Sequence, residues 1–150
     1  MTTIAWDGKT MAADKQSTGG GMKYLSLEGK MHRGTYHGMP ALFAGAGTSV
    51  YCDAVIEWLR AGMPNDKPEM PAAPDSFTVV VATELGIFEY IDSLRPIPLG
   101  VRKWAIGSGA EYAFGAMAAG ASAKRAVEIA CTLDVNSGMG VDTLTLRKGK

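Results

Sequence analysis

The chain has 150 residues, of which 47% are hydrophobic and 20% are charged, and its formal net charge is zero. This composition is typical of a soluble globular protein and predicts a single domain over residues 1–150. A chain with no basic block does not favour nucleic acid or an anionic membrane as its main partner. A net charge near zero does little to oppose self-association, so we expect a homo-oligomer.

The expected compartment follows from signals that the sequence lacks. The first residues have neither the basic region nor the apolar stretch of an export signal, and no run approaches the length of a membrane span. Cys52 and Cys131 are too few for a disulfide framework and form no C-x-x-C pair. We therefore expect a cytoplasmic protein with buried, reduced thiols.

The first third of the chain is predicted to consist mainly of strands. The segments TTIAW and TMAAD flank a DGK turn and are typical of a hairpin. Three glycines interrupt the pattern in STGGGMK, and LEGKMHRGTYHG and MPALFAGAG are the next predicted strands. From Thr48 the apolar residues follow helical spacing, and Thr48 or Ser49 is expected to cap that helix.

The rest of the chain contains a loop, four strands and two helices by the same criteria. The segment GMPNDKPEMPAAPD holds four of the seven prolines and is predicted to be a loop. FTVVVAT and GIFEYID are predicted to form a hairpin, followed by a strand in VRKWAIG. Ser108 and Glu111 match a capping box for a helix ending near Met117, and Ser122 is expected to cap another. VDTLTLRK is the last predicted strand, and the grouped order predicts an α+β fold.

Metal and nucleotide sites have little support. His32 and His37 are five residues apart in or near a strand, so we interpret them as polar strand-edge residues and expect no metal ion. The turns FAGAGTS and AIGSGAE join strands to helices but complete no nucleotide-binding motif, and DGKT lacks the first glycine of a P-loop. Close packing of strand on helix is the alternative explanation for both turns. A Ser–His–Asp arrangement has little support, because no G-x-S-x-G elbow is present. No organic cofactor is expected.

The remaining candidate for chemistry is Thr2, which becomes the first residue if Met1 is removed. A free α-amine has a pKa near 8, so much of it is neutral at working pH. That amine can take the proton of the hydroxyl beside it. Such a nucleophile also needs a buried cation and carboxylates that hold the cation. Backbone amides must also stabilise the oxyanion, and each such donor is worth roughly 3–4 kcal/mol.

Five short motifs in order resemble the proteasome β subunit and its bacterial relative HslV, the threonine-type N-terminal nucleophile hydrolases, and indicate a short member of bacterial or phage type. They are TTI with AAD, the sixteen-residue separation of Asp14 and Lys30, GAGTS, IGSGAEYA and DVNSG. The resemblance runs from Thr2 to about Leu146. It implies a four-layer αββα sandwich with a reduced outer helix layer.

The same resemblance implies a catalytic set. Its members are Thr2, Asp14, Lys30, Ser108, Asp134 and Ser137. The Thr2 hydroxyl would attack a peptide carbonyl with its own amine as base, Lys30 would lower the proton affinity of the nucleophile, and Asp14 would orient Lys30. The last three residues of the set would hold the amine. Each member also has an ordinary structural interpretation, as a strand, turn, helix-cap or helix-end residue.

Further residues are implied around the nucleophile. The amide of Gly47, or of Gly45 if the alignment slips, would form the oxyanion hole. Thr18 and Ser49 would bind the substrate backbone.

The activity implied is that of a threonine endopeptidase in a self-compartmentalising ring, fed with unfolded protein by an ATPase. Where the family has a second helix, this chain has the proline-rich segment 63–75, which leaves ring size and stacking open. Retention of Met1 would block the amine. Two alternatives remain: an N-terminal nucleophile amidohydrolase that acts on a small amide, and a catalytically silent assembly ring.

Overall fold

The computed structural model describes residues 2–148, and within them it contains eleven strands and three helices. The strands are β1 (Thr3–Trp6), β2 (Thr10–Asp14), β3 (Gln16–Gly19), β4 (Met22–Leu25), β5 (Met31–Tyr36), β6 (Met39–Gly47), β7 (Phe77–Thr83), β8 (Gly86–Ile91), β9 (Ile97–Leu99), β10 (Trp104–Gly107) and β11 (Val141–Thr145). The helices are α1 (Ser49–Arg60), α2 (Ala110–Ala118) and α3 (Ala123–Leu133). None of the helices in this part of the chain is long and apolar enough to span a membrane.

The strands form three antiparallel sheets. A four-stranded sheet has the order β10–β1–β2–β11, a five-stranded sheet runs consecutively from β5 to β9, and β3 pairs with β4. In the four-stranded sheet Ile4 lies opposite Ala13, and Thr3 lies opposite Gly107. This register places the residue before β1 beside the ends of both β2 and β10.

Three apolar clusters hold these elements together. The first contains side chains from both larger sheets, among them Ile4, Met11, Leu42 and Val80. The second packs α1 against the five-stranded sheet, and the third packs α2 and α3 against the four-stranded sheet. Successive side chains of a strand point to opposite faces, which is why Ile4 belongs to the first cluster and Ala5 to the third.

The predicted order of strands, helix, strands, two helices and strand is confirmed. The structure adds β9, and STGGGMK proves to be part of a hairpin between β3 and β4. Gly20 and Gly21 form its turn with φ angles of 57° and 78°, a conformation that glycine adopts without steric penalty. The proline-rich segment contains no helix or strand, as predicted.

The helix starts differ in part from the predictions. Thr48 occupies the N-cap position of α1, but its side chain makes no capping hydrogen bond. The capping box predicted from Ser108 and Glu111 is wrong, because α2 begins after Gly109 and the Ser108 hydroxyl is used elsewhere. Ser122 caps α3 as predicted.

Candidate active site

Thr2 and Asp14 meet because the β1–β2 hairpin brings its two open ends together. The Thr2 hydroxyl donates a hydrogen bond of 2.6 Å to Asp14 Oδ1, and the Thr3 amide donates one of 2.9 Å to the same oxygen. Thr2 is 5% exposed and Asp14 is 1% exposed. The hydroxyl is therefore largely shielded from solvent, against a fixed carboxylate.

Lys30 enters this site from the segment just before β5. Its Nζ lies 2.7 Å from Thr2 Oγ1, 2.9 Å from Asp14 Oδ1 and 2.5 Å from the Gln16 carbonyl oxygen. These contacts use all three hydrogens of the ammonium group. A positive charge held at this distance favours an alkoxide on Thr2 over the neutral hydroxyl.

The second carboxylate oxygen of Asp14 is also fully engaged. It accepts hydrogen bonds from the Gln16 amide at 3.2 Å and the Gly138 amide at 3.1 Å. A buried ion pair is tolerated when its remaining polar atoms are satisfied. Asp14 thus fixes Lys30, and backbone amides fix Asp14.

A second polar cluster lies on the other side of the β1 start. The hydroxyls of Ser108 and Ser137 each donate 2.6 Å hydrogen bonds to Asp134 Oδ2. The Thr3 hydroxyl lies 2.7 Å from Ser137 Oγ, and because the Ser137 proton is committed to Asp134, Thr3 is the donor. Ser108 Oγ also lies 3.3 Å from the Thr2 carbonyl oxygen, which joins the cluster to the nucleophile.

The environment of Asp134 favours its ionised form. Burial acts to raise its pKa, but hydrogen bonds from Ser108, Ser137 and the Asn136 amide outweigh burial, and the net result is a lowered pKa. A carboxylate beside the start of β1 can hold a positively charged amine there.

Two glycines around Ser108 are needed for close approach. A Cβ on Gly107 would overlap the Thr2 carbonyl oxygen, and a Cβ on Gly109 would overlap the Thr3 hydroxyl. Both glycines belong to the motif IGSGAEYA, from which only Ser108 was predicted to be a site residue. The turn therefore presses β10 and α2 directly against Thr2 and Thr3.

Gly45 and Gly47 are also sterically required. A Cβ on Gly47 would overlap the Ser76 carbonyl oxygen, and its φ of 109° is unfavourable for other residues. A Cβ on Gly45 would lie 2.7 Å from the Cβ of Cys52. Both glycines lie near Thr2 at the end of β6, so both remain candidates for an oxyanion amide.

Two clefts meet at Thr2. The first, which we call the Lys30 cleft, has a volume of about 200 Å³ and is lined in part by Lys30, Thr18 and Ser49. The second, the Ser108 cleft, has a volume of about 260 Å³ and includes Ser108. Gly47 lines both clefts together with Thr2, whereas Gly45 lines only the first, which favours Gly47 over Gly45 as the oxyanion residue.

All the residues predicted for the site lie in the two polar clusters or along the two clefts. Sequence reasoning missed several others that complete the hydrogen bonding or permit close packing: Thr3, Gln16, Gly107, Gly109 and Gly138. The backbone groups of Gln16 and Gly138 leave no side-chain signal in a sequence.

The two histidines lie apart. His32 is in β5 and lines the Lys30 cleft, and His37 lies in the turn after β5 with a φ of 51°. Both histidines therefore lie in or next to β5, as predicted. Within residues 2–148 no group of three or more His, Cys, Asp or Glu side chains is arranged to hold a metal ion.

Comparisons with known proteins show the fold. No protein-family model matches the chain, and no curated protein matches it. Thiobacillus denitrificans BPH aligns at a TM-score of 0.70 and 20% identity, over 99% of this chain and 98% of its own. The same protein in complex with epoxomicin aligns at a TM-score of 0.72 and 20% identity, over 99% of both chains.

A third solved structure is HslV from Trypanosoma brucei. It aligns at a TM-score of 0.69 and 20% identity, over 96% of this chain and 97% of its own. The chain therefore shares its fold with HslV, as the sequence resemblance predicted. At 20% identity the activity has to be argued from the site itself.

Proposed function

We propose that the protein is a threonine endopeptidase whose nucleophile is Thr2, exposed by cleavage of the bond between Met1 and Thr2. One observation carries this proposal: the Thr2 hydroxyl contacts both Lys30 Nζ and Asp14 Oδ1, where two clefts meet. Nucleophilic attack on a peptide chain requires a hydroxyl that is activated by a nearby charge and that substrate can reach. The Thr2 hydroxyl lies next to a buried ammonium group and borders a cleft on each side.

The reaction begins with attack of Thr2 Oγ1 on a peptide carbonyl carbon. The hydroxyl proton passes to the Thr2 α-amine, directly or through water, while Lys30 stabilises the developing alkoxide. The Gly47 amide stabilises the oxyanion, an effect worth roughly 3–4 kcal/mol for one well-placed donor. The carbon–nitrogen bond then breaks, the leaving amine takes the proton, and water hydrolyses the resulting ester.

The neighbouring groups position the reactants. Ser108, Asp134 and Ser137 hold the α-amine, and their hydrogen bonds to one another and to the Thr2 carbonyl support this role. Thr18 and Ser49 bind the substrate backbone from the walls of the Lys30 cleft. The reaction as proposed uses no metal ion and no organic cofactor.

The pair of clefts favours an endopeptidase over an amidohydrolase for a small amide. A peptide can continue into both clefts from a bond placed at Thr2, whereas a small amide needs only one enclosed pocket. A structure of similar fold holds epoxomicin, a peptide epoxyketone, which further supports a peptide substrate. A catalytically silent assembly ring would not need the Lys30–Thr2 contact.

For the architecture we propose one domain built as a four-layer αββα sandwich with a reduced outer helix layer. The packing of α1 on one sheet and of α2 and α3 on the other supports this arrangement. We further propose a homo-oligomeric ring in the cytoplasm, stacked or single, fed with unfolded protein by an ATPase. Exposed apolar side chains such as Leu27 (94%) and Val135 (85%) support self-association.

The test combines intact-mass analysis with epoxomicin labelling. We expect a purified protein that begins at Thr2 to gain the mass of one epoxomicin per chain and to degrade an unfolded protein. Thr2→Ala should abolish both results. Thr10→Ala removes a hydroxyl from the same hairpin, where it contacts Thr145, and should leave both unchanged.

Two results would contradict the proposed function. Protein that begins at Thr2 but neither takes up epoxomicin nor cleaves peptide bonds would falsify the proposed activity. Light scattering that gives the 15.8 kDa mass of one chain would contradict the proposed ring.

A further inference from the structure

The Lys30 cleft carries two carboxylates that no cation neutralises. Glu28 comes from the segment before β5, and Asp53 comes from the first half of α1. Both are exposed, and neither forms a salt bridge with another residue in the part of the chain that is described. Two walls of one cleft therefore present negative charge to its contents.

Lys30 does not offset this charge. Its ammonium group already donates to Thr2, Asp14 and the Gln16 carbonyl oxygen, and it forms a salt bridge with Asp14 at 2.9 Å. The pair is neutral as a unit, and the ammonium group has no hydrogen left for a substrate anion. The cleft therefore keeps the formal charge of Glu28 and Asp53.

His32 does not offset the charge either. Burial, followed by the nearby Arg60, lowers its pKa, while Asp53 and Glu28 act in the opposite direction without reversing the shift. The imidazole is therefore mainly neutral near neutral pH. Arg60 is not part of the cleft lining, and its Nε donates to the Arg33 carbonyl oxygen. The influence of both carboxylates on His32 also indicates that they act on the same part of the cleft.

The inner part of the cleft is less polar. Cys52 and Ile56 are buried at 5% and 4% exposure and line it together with the buried Ala46. A side chain that fits here has an apolar stem and a cationic end. Lysine and arginine are the amino acids with this construction.

We propose that the Lys30 cleft binds a lysine or arginine side chain next to the scissile bond, and that Asp53 and Glu28 determine this specificity. This inference rests on the proposed peptidase activity. The substrates are then unfolded segments rich in basic residues, and the cleft selects the bond that is cut.

The test is digestion of an unstructured protein, with mass spectrometry to identify the residues on both sides of each cleaved bond. We expect lysine and arginine to be enriched on one side. We compare cleavage rates for peptides with a basic residue and with norleucine at the selected position. Asp53→Asn and Glu28→Gln should each lower the ratio of the basic rate to the norleucine rate about fivefold, the effect of a modest ion pair. Added salt should also weaken the preference.

Glu57→Gln is the matched control. Glu57 lies one turn after Asp53 on α1, is exposed, and does not line the cleft. Removal of its negative charge should leave the preference for basic residues unchanged.

The outcomes separate the two proposals. Cleavage without enrichment of basic residues, or an enrichment that survives the Asp53→Asn, Glu28→Gln double variant, overturns the specificity and leaves the peptidase standing. Absence of any cleavage by protein that begins at Thr2 overturns both. A loss of preference in Glu57→Gln equal to that in Asp53→Asn would mean that general surface charge, and not the cleft, selects the bond.

Discussion

At the scale of single residues, the central contact is the hydrogen bond of 2.7 Å that Lys30 Nζ donates to Thr2 Oγ1. We expect Lys30→Ala to lower turnover by at least about 100-fold, because an electrostatic group at a developing charge contributes on that order. The proposed oligomer should keep its size, since Lys30 lies inside the site. Initial rates on an unfolded protein, together with light scattering, measure both effects.

A control lysine is available next to the site. Lys15 forms a surface salt bridge with Asp142 at 3.3 Å, and such pairs contribute about 0–1 kcal/mol. Lys15→Ala should therefore retain activity. Substantial turnover by Lys30→Ala would show that the assigned mechanism is wrong.

Asp134 makes a prediction about acid stability. Its lowered pKa means that the ionised form stabilises the folded state above the ordinary aspartate range, and that this contribution is lost as the pH falls through the folded-state pKa. Asp134→Asn should cost about 1–3 kcal/mol near neutral pH. The difference in the free energy of unfolding between Asp134→Asn and the unmodified protein should become smaller below about pH 4.

Urea unfolding at several pH values measures this effect. Asp142→Asn is the surface control and should shift stability little. A stability gap for Asp134→Asn that stays constant from neutral to acidic pH would contradict the role given to the two serine hydroxyls.

At the scale of elements, helix α2 has one glycine at its N-cap position and one inside it, and substitutions at the two are expected to act in opposite directions. Gly109→Ala would force a methyl group onto the Thr3 hydroxyl and within 3.2 Å of Asp134 Oδ2, and overpacking of this kind costs about 1–3 kcal/mol. Gly115 has open space around its Cβ position. Gly115→Ala should therefore stabilise the protein by up to about 1 kcal/mol.

Thermal unfolding of the two variants measures the contrast. Gly109→Ala should also lower activity, because Thr3 and Ser137 move. Equal effects of the two substitutions would show that the turn before α2 is looser than its packing indicates.

The elements themselves were largely predictable. Short, nearly continuous apolar runs identify strands such as β6 and β7, because both faces of these strands are buried. The three-residue strand β9 is too short to show a period. The helix-capping role predicted for Ser108 is wrong, because a serine before a helix is normally a cap and only the fold reveals that its hydroxyl donates to Asp134.

At the scale of the whole molecule, the two thiols report on global unfolding. Burial, with a contribution from Asp53, raises the pKa of Cys52 to about 12, and burial raises that of Cys131 to about 11. Little thiolate exists near neutral pH at such values. We expect slow labelling by a disulfide reagent in the native protein and complete labelling in urea.

Cys131→Ser isolates the more buried thiol. Cys52 is 5% exposed at the inner end of the Lys30 cleft, so its labelling should be slow until the packing between α1 and the five-stranded sheet is lost. Rapid labelling of Cys52 in the native protein would mean that this packing opens locally.

The sequence by itself determined the order of the elements and the candidate nucleophile. Apolar periodicity and side-chain chemistry are local properties that a sequence displays directly. The resemblance to a known family supplied the rest of the catalytic set.

Only the tertiary structure decided which atoms meet. It placed Lys30 against Thr2, used the amides of Gln16 and Gly138 to hold Asp14, and brought the carboxylates of Glu28 and Asp53 into one cleft. The physical reason is that backbone groups carry no residue-specific signal. In addition, contacts between residues distant in the chain depend on the register and packing of whole sheets.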